Sequence, residues 1–345
     1  MNTNMQPMLF DILYALAARD GREAALFGSS RPFAQMAFAH SMACEEFPEV
    51  WFEIPLVGDP WFDLHLLASQ DSLHPDATFS ADETGGYPGA FAWFAKQRGV
   101  RQLALSWDTG KGNVVTPAVQ VLVANHDPEI SCAFLRAAGR DDLQDAYRAF
   151  VERKPDTWFA CYTGAFPNRE HDFVRVECIV DDLSQRAYAE DAALLEAHLR
   201  QAGVRELGET VIPRCQAFAR FSFPIEFQFD VMPDGTLGST FGISARFACP
   251  PGEDDWLPFE PDGEAGALVE QVEEWGLTDD RWRLLADTIF AMRVSRGGRS
   301  CMLFNYPAFV KLRWRDGEPL DAKAYLLAGL QDESTDGDEE TESTR

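Results

Sequence analysis

The chain has 345 residues, 46% apolar and 12% aromatic, enough to bury a large core, and no apolar run nears the roughly 18 residues of a membrane span. Thirty basic against 56 acidic side chains leave a net charge of −26, which repels phosphate backbones and argues against nucleic-acid binding. Seven scattered cysteines without a CxxC point to free thiols in a reducing, cytoplasmic setting, not to a disulfide framework or a zinc site.

The elements follow in chain order. Two helical stretches are expected over about 7–27 and 31–46, parted by Gly28-Ser29-Ser30, with Pro32 placed to start the second. The first reads as a native helix and not as a signal peptide, for it lacks a basic start and a small-residue cleavage site. Two β-rich runs then flank Val57-Gly58-Asp59-Pro60. A short helix is predicted at 87–98, followed by two strands around Asp108–Gly112. Helix returns over 128–154 in two pieces broken at Gly139, then a strand pair turning near Pro167-Asn168. A helix over 184–203 ends at Gly203, and a fourth strand pair turns at Pro233-Asp234-Gly235. Residues 264–295 read as helix in two parts, and a fifth pair turns at Asp316-Gly317. The last fifteen residues carry seven acids and one base with scarcely an apolar group, so an acidic disordered tail is expected from 331 to 345, after one repeat-built domain over 1–330.

Helix followed by hairpin, five times over, is an internal repeat. Ten antiparallel strands with helices on one face can close into a barrel and leave no open edge. The fold class expected is therefore α+β, a ten-stranded antiparallel barrel of five helix–hairpin units inside a ring of helices. The alternative is two α+β domains, each with an open sheet. Strand alternation separates the faces. Ile225, Phe227, Phe229 and Val231 alternate with Glu226, Gln228 and Asp230; Val310, Leu312 and Trp314 alternate with Lys311, Arg313 and Arg315. With helices outside, the apolar face meets them and the polar face lines the lumen. Asp63, Gln120, Arg175, Glu177, Glu226, Gln228, Arg246, Lys311, Arg313, Lys323 and Tyr325 then surround a solvated chamber holding both signs of charge.

This repeat resembles the ABBA family of aromatic prenyltransferases over roughly 30–330, and the last hairpin, with Lys323-Ala324-Tyr325, resembles the strand–turn–strand of the fungal indole prenyltransferase branch. The resemblance implies transfer of a prenyl group from a prenyl diphosphate to an aromatic small molecule or peptide side chain. It implies diphosphate binding by Arg175, Arg246, Arg313, Lys323 and Tyr325, and a proton-accepting carboxylate at Glu53 or Asp63. Gln120, Glu177, Glu226 and Gln228 complete the polar lumen. Trp158, Tyr162, Phe173 and Tyr325 are candidate wall residues that could face an allyl cation. No cofactor is required, although Mg²⁺ shared with the acids is compatible with the pattern. The histidines show no metal-ligand spacing, and GxGxxG, P-loop, GxSxG and HExxH motifs are absent. The alternative function is a non-catalytic barrel that binds a ligand or peptide, and an unrelated enzyme on two α+β domains stands as a third.

Overall fold

The computed structural model of the protein describes residues 24–28, 49–70, 73, 78–81, 84, 86–97, 99–108, 117–123, 127–166, 172–247, 259–296 and 299–332. The strands are β1 (Glu49–Pro55), β2 (Asp63–Ser69), β3 (Val100–Trp107), β4 (Ala118–Val123), β5 (Trp158–Ala165), β6 (Val174–Val180), β7 (Ile225–Val231), β8 (Leu237–Arg246), β9 (Phe290–Arg296), β10 (Arg299–Arg315) and β11 (Glu318–Asp332). The helices are α1 (Ala24–Phe27), α2 (Pro88–Phe94), α3 (Pro128–Ala137), α4 (Gln144–Arg153), α5 (Asp182–Glu190), α6 (Ala192–Ala202), α7 (Val211–Ala219) and α8 (Glu264–Glu274), with 3-10 turns at Asp141–Leu143 and Asp280–Thr288.

The strands form one antiparallel sheet in the order β11-β1-β2-β3-β4-β5-β6-β7-β8-β10-β9, and β10 also pairs with β11. That last pairing closes a ring of ten strands, leaving β9 as an eleventh on the outer flank of β10. The seam joins the first and last strands, from Glu49 opposite Gly329 to Pro55 opposite Lys323. The expected barrel is thus the fold observed, and the alternative of two open sheets is set aside.

The alternation sorts the faces as physics requires. Ile225, Phe227, Phe229, Val231, Val310, Leu312 and Trp314 are fully buried, in one continuous core with the helices. Phe91, Phe134, Phe150, Leu195, Phe218 and Leu268 supply the helical half of that core. Side-chain caps mark the starts of α3 and α5. Asp127 accepts from the Glu129 N–H ahead of Pro128, and Asp181 accepts from Ser184 N–H.

Several elements differ from the sequence expectation. The helix predicted over 184–203 is two helices, because Asp191 adopts an extended conformation and its carboxylate caps Leu194 N–H at the start of α6. Val211–Ala219 adds a helix that the sequence pattern does not announce. The helix predicted to run to 295 ends at Glu274; residues 280–288 are 3-10, and Phe290–Arg296 is strand β9. Pairing with Arg299–Asn305 of β10 overrides the helix-compatible composition of that stretch. β10 and β11 are correspondingly long, 17 and 15 residues, and β11 continues through Asp332, two residues past the expected domain end. The two N-terminal helical stretches, apart from Ala24–Phe27, and residues 333–345 lie outside the described residues. Among the described residues, no helix is long and apolar enough to cross a membrane.

Candidate functional site

Inward-facing side chains of the barrel enclose a cavity of about 70 Å³. Its wall includes Glu53, His65, Ser106, Gln120, Tyr162, Arg175, Glu177, Glu226, Gln228, Arg246, Lys311 and Tyr325. Asp63, Arg313 and Lys323 do not border it; they form a layer beneath, toward the hairpin turns. Among the wall candidates, Tyr162 and Tyr325 line the cavity. Trp158 does not. It faces outward, its indole N–H donates to Tyr188 Oη at 2.7 Å, and its ring stacks on Phe229. Phe173 stacks on Phe166, and the Arg175 guanidinium lies 5.4 Å from its centroid.

Every lumen cation singled out by sequence holds a carboxylate. Arg175 makes a two-pronged bond to Asp230, at 2.7 and 3.0 Å. Arg246 bonds Glu226 at 2.8 Å, and Arg313 bonds both oxygens of Asp321. Lys311 donates to Glu177 at 2.8 Å and to Gln228 Oε1 at 2.5 Å. Lys323 donates to Glu53 and, at 3.4 Å, to Asp63, with Trp61 beneath its ammonium at 4.9 Å. The lysines are 3% exposed. Full pairing is what such burial demands, since an unpaired ion costs several kcal/mol out of water. The sequence could show the cations and acids; only the register decides who meets whom. Arg246 stands level with Tyr325 across β10, while Lys323 lies one rung nearer the turns, so the two are parted and separately neutralised.

Glu53 and Asp63 are direct neighbours across β1 and β2. Burial pushes the Glu53 carboxyl up, but Lys323 and His65 overrule it and hold it well below the usual range. Burial and the Glu53 charge push Asp63 up to about 6 against the pull of Lys323. One Asp63 oxygen, Oδ1, is buried without a hydrogen-bond partner among the described residues. Beside this pair, His65 Nε2 meets Glu53 Oε2 at 3.2 Å and His65 Nδ1 meets Ser106 Oγ at 2.6 Å. Gln120 Nε2 donates to the same Ser106 Oγ at 2.6 Å. His65 and Ser106 are not recognisable from spacing, because they become neighbours only through the pairing of β2 with β3. On the far side, Phe309 stacks on Tyr325 with centroids 4.0 Å apart, and burial pushes the Tyr325 phenol far up.

The lumen residues do not fit a resident Mg²⁺. Among the described residues no group of three or more His, Cys, Asp or Glu side chains could hold a metal, and the Lys323 ammonium bonds both Glu53 and Asp63. The five cysteines described are buried, and burial pushes the Cys178 thiol up to about 12, away from nucleophilic use at neutral pH.

No family model matches the chain, and no curated protein matches it. Among solved structures, the chain is similar to the crystal structure of AnaPT from Neosartorya fischeri, with 10% identity, a TM-score of 0.45, and coverage of 95% of this chain and 92% of that one.

Proposed function

We propose that the barrel is a small-ligand-binding protein whose chamber does not ionise a prenyl diphosphate. The carrying observation is the complete pairing of Arg175, Arg246, Lys311, Arg313 and Lys323 with carboxylates. A diphosphate would have to part at least two of these pairs. Breaking a buried pair costs roughly 3–5 kcal/mol, whereas a hydrogen bond to a charged group returns about 1.5–3. The balance is against the anion. Size agrees: about 70 Å³ admits only a very small ligand, well below the ~300 Å³ at which pockets for drug-sized molecules begin and too little for a prenyl diphosphate.

A second reading keeps aromatic prenyl transfer. It is favoured by the aromatic side chains of Trp51, Phe309 and Tyr325, which line the cavity on the same stretch of wall as the Glu53 carboxylate. In that reading Lys323 and Arg246, with Arg175 or Arg313, take the diphosphate, and Glu53 or Asp63 accepts the proton of an aromatic small molecule or peptide side chain. Calorimetry with unreactive prenyl thiodiphosphates of several chain lengths, beside a mass-spectrometric screen of aromatic acceptors, separates the two. The expected result is no binding tighter than about 1 mM, some 4 kcal/mol, and no prenylated product. Micromolar binding accompanied by product would overturn the proposal and establish the second reading.

A further inference from the structure

The chamber contains a hydrogen-bonded line of side chains that neither binding nor prenyl transfer requires. It runs from Gln120 on β4 to Ser106 on β3, His65 on β2 and Glu53 on β1, four strands adjacent in the sheet. All four residues border the cavity. His65 and Ser106 are direct cross-strand partners, whereas Glu53 sits diagonally from His65 and Gln120 diagonally from Ser106.

The direction of each hydrogen bond follows from the groups themselves. Glu53 is ionised beside Lys323 and can only accept, so His65 Nε2 carries the hydrogen. His65 Nδ1 then holds a lone pair and can only accept in a neutral ring. Ser106 Oγ receives a hydrogen from the Gln120 amide, which leaves its own hydroxyl hydrogen for Nδ1 at 2.6 Å. A hydroxyl aimed at an imidazole lone pair, with the far ring nitrogen anchored by a carboxylate, is the arrangement that activates serine in acyl transfer. The ring is turned relative to the usual order, with Nδ1 and not Nε2 facing the serine. Proton transfer needs only a lone pair on the near nitrogen and a held hydrogen on the far one.

We propose that Ser106, His65 and Glu53 form a serine–histidine–carboxylate relay opening into the chamber, with Ser106 the nucleophile toward small activated carboxylic esters. Ser106 Oγ attacks the acyl carbon and its proton passes to His65 Nδ1, while Glu53 holds the imidazolium at Nε2. The bond from carbon to the leaving oxygen breaks, and that oxygen takes the proton from Nδ1. Water repeats the route on the acyl-serine, releasing a carboxylic acid and restoring the hydroxyl. Gln120 is a positioning residue that fixes the serine rotamer. The cavity of about 70 Å³ restricts the acyl group to acetyl or similar size.

The test is to treat the full-length protein with p-nitrophenyl acetate, then map acetyl adducts by peptide mass spectrometry. We expect an acetyl adduct on Ser106. His65→Gln should slow it at least about 100-fold, the lower end for a lost general base. Ser106→Ala should abolish it, with circular dichroism confirming the fold. If Ser106→Ala does not fold, Ser106→Cys carries the test: a label on the new sulfur sustains the relay, and none overturns it. Absence of acetyl on Ser106, or unchanged labelling after His65→Gln, overturns the proposal. The thiodiphosphate titration does not bear on this outcome, so either idea can fail alone.

Discussion

Asp63 shows what a lumen does to a carboxylate that it only half pairs. Its ordinary value of 3.8 rises to about 6 through burial and the neighbouring Glu53 charge. The native protein therefore keeps a proton between about 4 and 6 that the unfolded chain has released, so stability falls as pH rises through that window and is flat above it. Glu53 has the opposite sign: its depressed value adds stability that is present above the unfolded carboxylate value and lost as pH falls through the folded one. Asp63→Asn should remove the first slope and leave the second. In urea unfolding, the variant should gain on the wild type by up to about 3 kcal/mol between pH of about 4 and about 7, at 1.36 kcal/mol per unit. An unchanged difference across that range would mean that Asp63 titrates normally.

At the scale of elements, the hairpins rest on their turns. Asp316 and Gly317 both have positive φ, 52° and 77°, the pair of left-handed residues that a tight two-residue hairpin needs. Gly317 also packs against another chain segment: a Cβ there would lie 2.7 Å from the Gly208 nitrogen, just before α7. Gly317→Ala should cost about 1–3 kcal/mol from the conformation alone, with the backbone approach adding to it. Asp316→Asn, which tolerates the same conformation, should stay within about 0.5 kcal/mol. Chemical denaturation of both variants measures this, and equal loss in the two would point to the Asp316 side chain in place of the turn geometry. The Asp-Gly pair was legible in the sequence. The contact with Gly208 was not, because nothing local relates residues so far apart.

For the molecule as a whole, closure through β1 and β11 ties the first and last strands into one ring. Stability should therefore depend on the strand pairing up to Asp332 and not on the residues beyond it. Removal of residues 333–345, which hold six acids, one base and no apolar side chain, should leave the thermal midpoint within about 1 °C, since there is nothing in them to bury. Cutting instead after Ala328 would delete the partners of Cys301 through Phe304 and should lower the midpoint by several degrees, each kcal/mol being worth roughly 2–4 °C in a large domain. Scanning calorimetry of the two truncations distinguishes them. A large loss on removing 333–345 would mean that the tail docks.

Periodicity and turn chemistry by themselves determined the five hairpins, the barrel and the division of faces. Those signals are local: Phe227 and Gln228 point opposite ways whatever else the chain does. They also placed Gln120, Glu177, Glu226 and Gln228 on the cavity wall. The tertiary structure alone decided the chemistry of that wall. Whether Arg175 is a free cation or the partner of Asp230 depends on the register of β6 against β7. Whether Ser106 is an inert hydroxyl or the partner of His65 depends on the pairing of β2 with β3, across 41 residues of chain. β9 was missed for the same reason, since its strand state comes from β10 and not from its own composition. Sequence sets which way a side chain points along its own strand; which atoms face it from the next strand is a property of the closed sheet.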